Sequence, residues 1–416
     1  MVRIAPFKGI RYNTEIVDPR DVTSPPYDVI SPADRMCFHD KHPKNAIRLI
    51  LGLDMPDDTP SNNKFTRASE YFSEWLAEGT LIQDPKPAIY AYEQHFELDG
   101  KPKTVRGLVS LVKLHEYSEG VILPHENTLP KPKSDLSKLI KATNANMDSV
   151  YALYPDREHK VDAILERVAG TAPAEEAIDR QNVRHRLWII NDETDIEAIT
   201  DALDAEPAVI ADGHHRYETA LNYRNELRKK DSDTSGDKPY DYVMMTLVNV
   251  YSPDVTVWPT HRMVRGLPAG VVDALKQRLS EMFDVIPSSK ETLAADMAAR
   301  SGKSIGVYQP GQAYLADIKD KAAGLDVLTL HEVILDGLLG IDEARIREEA
   351  NVGYTRDASE AIDAVDSGSC QIAFLLNPVE LEVILSTARA GRTLPQKATY
   401  FYPKLLSGLI MRKIEW

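Results

Sequence analysis

The sequence predicts an α+β chain built on a mixed sheet, and three observations carry that reading. Two apolar runs, "AIYAYEQHFEL" and "TVRGLVSLVKL", flank Asp99-Gly100, a dipeptide that suits a tight hairpin. The short run "PAVIA" at 207–211 passes at once into a helical pattern at 214–230, a strand–turn–helix unit. Hairpins and strand–helix units are interspersed along the 416 residues, which is the pattern of an α+β architecture with a mixed sheet.

Taken in order, residues 1–53 are rich in proline and polar side chains, with short extended pieces around "DVTSPPYDVI". Pro25-Pro26 disfavours helix there and sets an extended entry into Tyr27-Asp28. "DMPDDTPSNN" (54–63) reads as a solvent loop, and Phe65, Ala68, Phe72, Trp75 and Leu76 then recur at helical spacing until Gly79. After the hairpin, "PHENTLPKPKSD" (124–135) carries too many prolines for regular structure and is expected to be a long ordered loop. Helices are expected near 136–145 and 160–169, with "RHRLWII" (184–190) as a strand and a Thr194-capped helix running to about Leu203. "DSDTSGDK" (231–238) is a surface loop before the strand "YVMMTLVNV" (242–250). A small α/β section spans 265–320, where "SIGVYQ" and "AYLADI" bracket Pro310-Gly311. The rest holds a helix "LDVLTLHEVILDGLLG", a strand "QIAFLL", a Pro-capped helix "VELEVILSTAR" and the irregular "TLPQKATYFYPK".

With 43% apolar and 27% charged residues, the composition is that of an ordinary globular protein long enough for two or three packed units. The net charge of −15 repels phosphate backbones, so nucleic acid is disfavoured as a partner, while a small anion still feels only its own pocket. Cys37 and Cys370 stand alone, without metal-ligand or disulfide spacing. "MVRIAPFKGIRYN" has no apolar leader core and no run approaches ~18 apolar residues, which excludes a membrane partner and predicts a cytoplasmic location.

The chemistry concentrates at "VIADGHHRYETA" (209–220). Asp212 is read as the helix N-cap, and Gly213 lets the backbone turn sharply. First-turn N–H groups beside the positive helix end suit an anion, and the Arg216 fork can bracket phosphate oxygens. His214 and His215 lie ~100° apart on the helix, so one is expected at the ligand while the other packs or orients Asp212. Without a ligand, the same stretch is a capped helix with ordinary surface histidines. A metal reading also exists, because His214 and Glu218 are four residues apart.

"PTHR" brings a second pair, His261 and Arg262, expected in a turn at the same sheet edge. Asp28 on its extended segment and Glu126 beside His125 are both candidates for the general base that takes a proton from a hydroxyl substrate. Lys397, Thr399 and Lys404 place cations on an irregular segment able to cover phosphates, or simply exposed to solvent. No P-loop, G-x-G-x-x-G or G-x-S-x-G pattern occurs.

The motifs "PFKGIRYN", "SPPYDVI", "HENTLPKPKSD", "ADGHHRYETA", "PTHRMV" and "PQKATYFYPK", in order from Pro6 to Lys404, together resemble a prokaryotic family of uncharacterised proteins, domain of unknown function 1015. "AVIADGHHRYETA" followed by "YVMMTLVNV" also resembles the core of the ParB/sulfiredoxin superfamily. There a G-x-H-R-like strand–turn–helix binds nucleotide phosphates, in sulfiredoxins, CTP-binding partition proteins and free L-serine kinases. Gly213, His215 and Arg216 match that motif. No cysteine stands in it, so sulfiredoxin's thiol chemistry is not implied, and the acidic chain without a helix-turn-helix does not resemble a DNA partition protein.

The resemblance implies a ParB/sulfiredoxin-like strand–turn–helix core at 161–264, between an N-terminal α+β segment at 1–160 and a C-terminal α/β segment at 265–416. It further implies a nucleotide-dependent phosphotransferase that acts on a small hydroxyl metabolite, using ATP or ADP, or CTP, with Mg²⁺. Asp28 or Glu126 and His215 would be catalytic, with Asp212, Gly213, His214, His215, Arg216, His261, Arg262, Lys397 and Lys404 around the phosphates. Two alternatives stay open: a nucleotide-binding regulatory module without turnover, and a metal-dependent phosphohydrolase built on Asp212, His214 and His215. A homo-oligomer is compatible with either.

Overall fold

The computed structural model describes residues 1–128, 130–204, 206–233, 235–300, 304–319, 325–348 and 350–416, with the side chains of 130–132 and 347 left aside. Leu129 and Thr234, which fall in two of the expected loops, and 301–303 and 320 of the 265–320 section lie outside the described residues. The chain forms two compact units. One comprises 1–124, 128–255 and 403–416, and the other 125–127 and 256–402. These boundaries differ from the segments 1–160, 161–264 and 265–416.

The first unit is organised on a nine-stranded mixed sheet. Its strands are β1 (Ile4–Ala5), β2 (Ile89–Leu98), β3 (Lys101–Lys113), β4 (Ile122–Leu123), β5 (Val150–Tyr154), β6 (Glu175–Ile178), β7 (Arg184–Ile190), β8 (Ala208–Asp212) and β9 (Tyr242–Asn249). They lie in the order β4-β8-β5-β9-β3-β2-β7-β6, with β1 added alongside β3. Only β4/β8 and β5/β9 pair in parallel. The β2–β3 hairpin turns at Asp99 and Gly100, both with positive φ (52° and 71°), as a two-residue turn of the twist-matching kind requires. Every residue of β9 is buried, as expected for an apolar run in the middle of a sheet. One core gathers Leu108, Val150, Ala152, Ile210, Tyr217 and Leu247 between the sheet and its helices.

Around this sheet the helix Lys64–Ala77 buries Ala68, Phe72 and Trp75, and is started by a reciprocal Asn63–Thr66 capping box. Gly79 follows at φ +81°, in keeping with its expected role as a stop. Helices Lys160–Ala169 and His214–Lys230 fall where their periodicity places them.

Several expectations are corrected. Residues 1–53 contain the helices Pro32–Lys41 and Ile47–Ile50, not only extended pieces. The segment 124–135 is not all loop, because a helix runs over Pro130–Thr143. Pro130 and Pro132 sit in its first turn, where a backbone N–H has no helical acceptor to lose, so the prolines are tolerated. Asp192, not Thr194, caps the helix Glu193–Leu203, accepting the Asp195 N–H at 3.1 Å.

The second unit carries a six-stranded antiparallel sheet: β10 (His261–Val264), β11 (Phe283–Ser288), β12 (Ser304–Gln309), β13 (Gln312–Ile318), β14 (Val352–Thr355) and β15 (Ile372–Leu375), in the order β11-β13-β12-β15-β10-β14. The run "LDVLTLHEVILDGLLG" departs from the expected single helix. Asp326–Thr329 is α-helical, and Leu330–Leu338 is wound as a π-helix. No helix among the described residues is long and apolar enough to cross a membrane.

Candidate functional site

Strand β8 ends in a register shift between Ile210 and Asp212, after which Gly213 takes φ +87° and opens the 17-residue helix His214–Lys230. Glycine is required here twice over. The backbone is left-handed, and a Cβ at this position would stand 2.8 Å from Arg216 Nε. The guanidinium of Arg216 therefore folds back over the turn. Its Nη1 donates to the Ser149 carbonyl, and its Nη2 lies 3.4 Å from Asp212 Oδ2. Asp212 is thus not the N-cap the sequence suggested. It is the last strand residue, and its carboxylate also receives Lys404 Nζ at 3.2 Å. Gln94 Nε2 donates to the Lys404 carbonyl at 2.9 Å and fixes that residue from strand β2.

Asp28 and Asp148 join the same charge network. Asp28 lies in a 3-10 turn, Tyr27–Val29, rather than on extended chain. Its carboxyl is raised, by desolvation and then by the charge of Asp212, with Lys404 and Arg216 pulling the other way. Asp148 is also raised, by burial first, while Arg216 opposes. Asp212 is the opposite case: burial would raise it, but Lys404 and Arg216 together hold it below the usual range. Asp212 thus holds its proton less tightly than Asp28 and Asp148, because Lys404 and Arg216 act on it most strongly.

His215 occupies the first helical turn, and burial pushes it down to about 4, so it is neutral at physiological pH. Glu218, read from the sequence as a metal partner of His214, accepts instead from Thr128 Oγ1 at 2.8 Å and Lys133 Nζ at 2.9 Å. Among the described residues, no group of three or more His, Cys, Asp or Glu side chains is placed to hold a metal ion.

The remaining candidates belong to the second unit and form a group of their own. His261 and Arg262 are not in a turn at the edge of the nine-stranded sheet; they begin β10, an inner strand of the six-stranded one. Arg262 is wholly buried, and donates to the carbonyls of Thr260 and Lys397 and to His331 Nε2 at 3.2 Å. Glu126 Oε1 accepts the Lys397 N–H at 2.7 Å, and Lys397 Nζ stands 4.5 Å from the Tyr354 ring centroid. His125 and Thr399 are hydrogen-bonded at 2.8 Å.

In the first unit, therefore, Asp28, Asp212, Gly213, His214, His215, Arg216 and Lys404 come together, whereas Glu126, His261, Arg262 and Lys397 cluster in the second. Asp148, Ser149, Tyr27 and Lys133 were missed by sequence reasoning. Asp148 and Ser149 had a signal in "MDSV", two polar residues immediately before a buried strand. Lys133 had none, since it is one of several lysines in a proline-rich run.

Fold and site define a mixed α+β protein whose charged network is gathered at the start of one helix. The chain belongs to the family described as protein of unknown function (DUF1015), whose family model matches residues 4–336. No curated protein matches it. Among solved structures it is similar to a free serine kinase in complex with AMP, at TM-score 0.38 and 15% identity over 68% of this chain and 83% of that one. It is also similar to a conserved hypothetical protein from Pyrococcus furiosus (TM-score 0.37, 14% identity, 68% and 89% covered). A third is SbnI with C-terminal truncation from Staphylococcus aureus (TM-score 0.38, 11% identity, 72% and 85% covered).

Proposed function

We propose that this protein is a nucleotide-dependent phosphotransferase acting on a small hydroxyl metabolite, with free L-serine as the first substrate to test. The observation that carries the reading is the geometry of the Gly213 turn, where Arg216 folds back over the glycine and, with Lys404 Nζ at 3.2 Å, holds the carboxylate of Asp212 at the start of a helix, while burial and the Asp212 charge raise the nearby Asp28. Phosphoryl transfer needs positioned charge more than covalent chemistry, and this network supplies cations and a base side by side.

In this mechanism Asp28 takes the proton of the acceptor hydroxyl, whose oxygen attacks the terminal phosphorus of ATP or ADP. The bond from that phosphorus to its bridging oxygen breaks, and ADP or AMP leaves with the electron pair. Arg216 turns its buried Nε, which has no hydrogen-bond acceptor among the described residues, toward a phosphate oxygen. The glycine turn, where any Cβ would press on that guanidinium, keeps the approach open. Lys404 neutralises charge next to Asp212, and neutral His215 donates or accepts without adding charge. Mg²⁺, where bound through the phosphates, would supply further charge neutralisation. Asp28 is preferred over Glu126 as base, because Glu126 is engaged by the Lys397 amide.

The test is a coupled assay with ATP, ADP and CTP, with and without L-serine. Phosphoserine that disappears in Asp28→Asn supports the reading. Folded protein that neither consumes nucleotide nor forms phosphoserine overturns it. Nucleotide-dependent stabilisation without turnover, surviving Asp28→Asn but lost in Arg216→Met, would instead establish a regulatory nucleotide-binding module.

A further inference from the structure

The π-helix Leu330–Leu338 of the second unit forms one wall of a cavity of about 340 Å³, a volume within the range of small-ligand sites. Its i→i+5 bonding is explicit at the end, where Leu339 N donates to Ile334 O at 2.9 Å. Such winding is rare and is frequently found at functional sites. Here its consequence is geometric. On an α-helix, His331 and Asp336 would point ~140° apart. The wider winding brings residue i+5 back toward the line of residue i, and His331, Glu332 and Asp336 all line the cavity.

The chemistry of the lining is one-sided. Glu343 adds a further carboxylate from the helix Glu343–Arg347, and buried Ile341 and Ile346 contribute apolar surface. Among the described residues that line it there is no lysine or arginine. His331 adds no positive charge, since burial pushes it down to about 3. Its Nε2 faces Arg262 Nη2 at 3.2 Å, and a guanidinium can only donate, so Nε2 accepts and the ring proton sits on Nδ1. An anionic ligand would meet like charges here. A cation with a short hydrocarbon body would meet both carboxylates and apolar isoleucine surface in this lining.

We propose that this cavity binds a small organic cation, a primary amine carrying a short apolar chain. The proposal is independent of the phosphotransfer reading.

The experiment is ligand-observed saturation-transfer NMR on the full chain with n-butylamine, n-butanol and butyrate as isosteric probes. Saturable binding of butylamine, at least tenfold tighter than butanol and absent for butyrate, is expected. The double variant Glu332→Gln/Asp336→Asn, at exposed positions, should weaken butylamine roughly tenfold or more. A matched loss of charge in the other unit, Glu197→Gln/Asp201→Asn, should leave the affinity unchanged and so separates site binding from general attraction to a chain of net charge −15. Equal weakening by the two double variants, binding of butyrate, or no butylamine binding overturns the proposal. If a variant fails to fold, the wild-type comparison of the three probes decides alone.

Discussion

Lys404 Nζ lies 3.2 Å from Asp212 Oδ2, an ion pair joining positions 192 apart in the chain. The C-terminal segment returns to the first unit to make it, and Gln94 holds the lysine backbone in place. Because burial alone would raise Asp212, its depressed proton affinity is the work of Lys404 and Arg216. Lys404→Gln leaves Arg216 in place and is therefore expected to raise Asp212 from its depressed value, visible in the pH titration of its ¹³C carboxyl resonance. Lys404→Arg should keep the depression. An Asp212 resonance unmoved in Lys404→Gln would show that the pair does not set its charge.

Gly213→Ala should cost about 1–3 kcal/mol, from the left-handed backbone and from the contact with Arg216. Gly79→Ala is the control: its φ is also strongly positive (+81°), but nothing stands within 4 Å of an added Cβ. Urea unfolding should find Gly213→Ala the more destabilised of the two. The same variant should lose nucleotide-dependent stabilisation, whereas Gly79→Ala retains it.

The contribution of His215 and His261 to stability should fall as pH drops from about 6.5 toward 4, against an opposite contribution from the carboxyls of Asp28, Asp148 and Asp326, which burial raises in the folded chain. Burial lowers both His215 and His261 to about 4 in the folded chain, so between those values the unfolded chain binds more protons on them. The stabilisation is fully present above the unfolded histidine value and lost as pH falls through the folded one. The geometry agrees for His261, whose Nδ1 accepts the Leu376 N–H at 3.2 Å and would clash with it once protonated. Urea midpoints of wild type and His261→Asn at pH 7, 5.5 and 4.5 isolate the histidine, and the wild type should lose stability relative to the variant as pH falls. Equal slopes in the two proteins would count against a neutral His261.

Much of the fold was legible because its signals are local. The Asp99-Gly100 hairpin, the Gly79 stop and the helix from His214 each follow from a dipeptide or a periodicity. The errors arose where context overrides a local rule. Prolines that rule out a helix interior are harmless in its first turn, at Pro130 and Pro132. Asp212 has the right chemistry for a cap, but a lysine from the far end of the chain competes for its carboxylate. The charge network of the candidate site was readable in part, as the 212–216 motif with Asp28 and Lys404. What could not be read was its partition: His261 and Arg262 share the His-Arg chemistry of the motif, yet the pairing of β10 with β14 and β15 assigns them to another sheet.

Arg262 offers the last test. It is wholly buried, and its acceptors are the Thr260, Gln396 and Lys397 carbonyls and His331 Nε2, with no carboxylate within ion-pair distance among the described pairs. Arg262→Met removes the donors and strands those acceptors, a loss of about 2–4 kcal/mol. Arg262→Lys should recover little of it, because an ammonium cannot span a planar fork of acceptors. The distinguishing readout is the His331 tautomer. With Arg262 present, Nε2 must accept and Nδ1 carries the proton; in Arg262→Met that constraint is gone. ¹⁵N NMR of the imidazole should show the protonated nitrogen shifting from Nδ1 toward Nε2. An unchanged tautomer would mean that Arg262 supports the strand alone and does not set the donor that His331 presents.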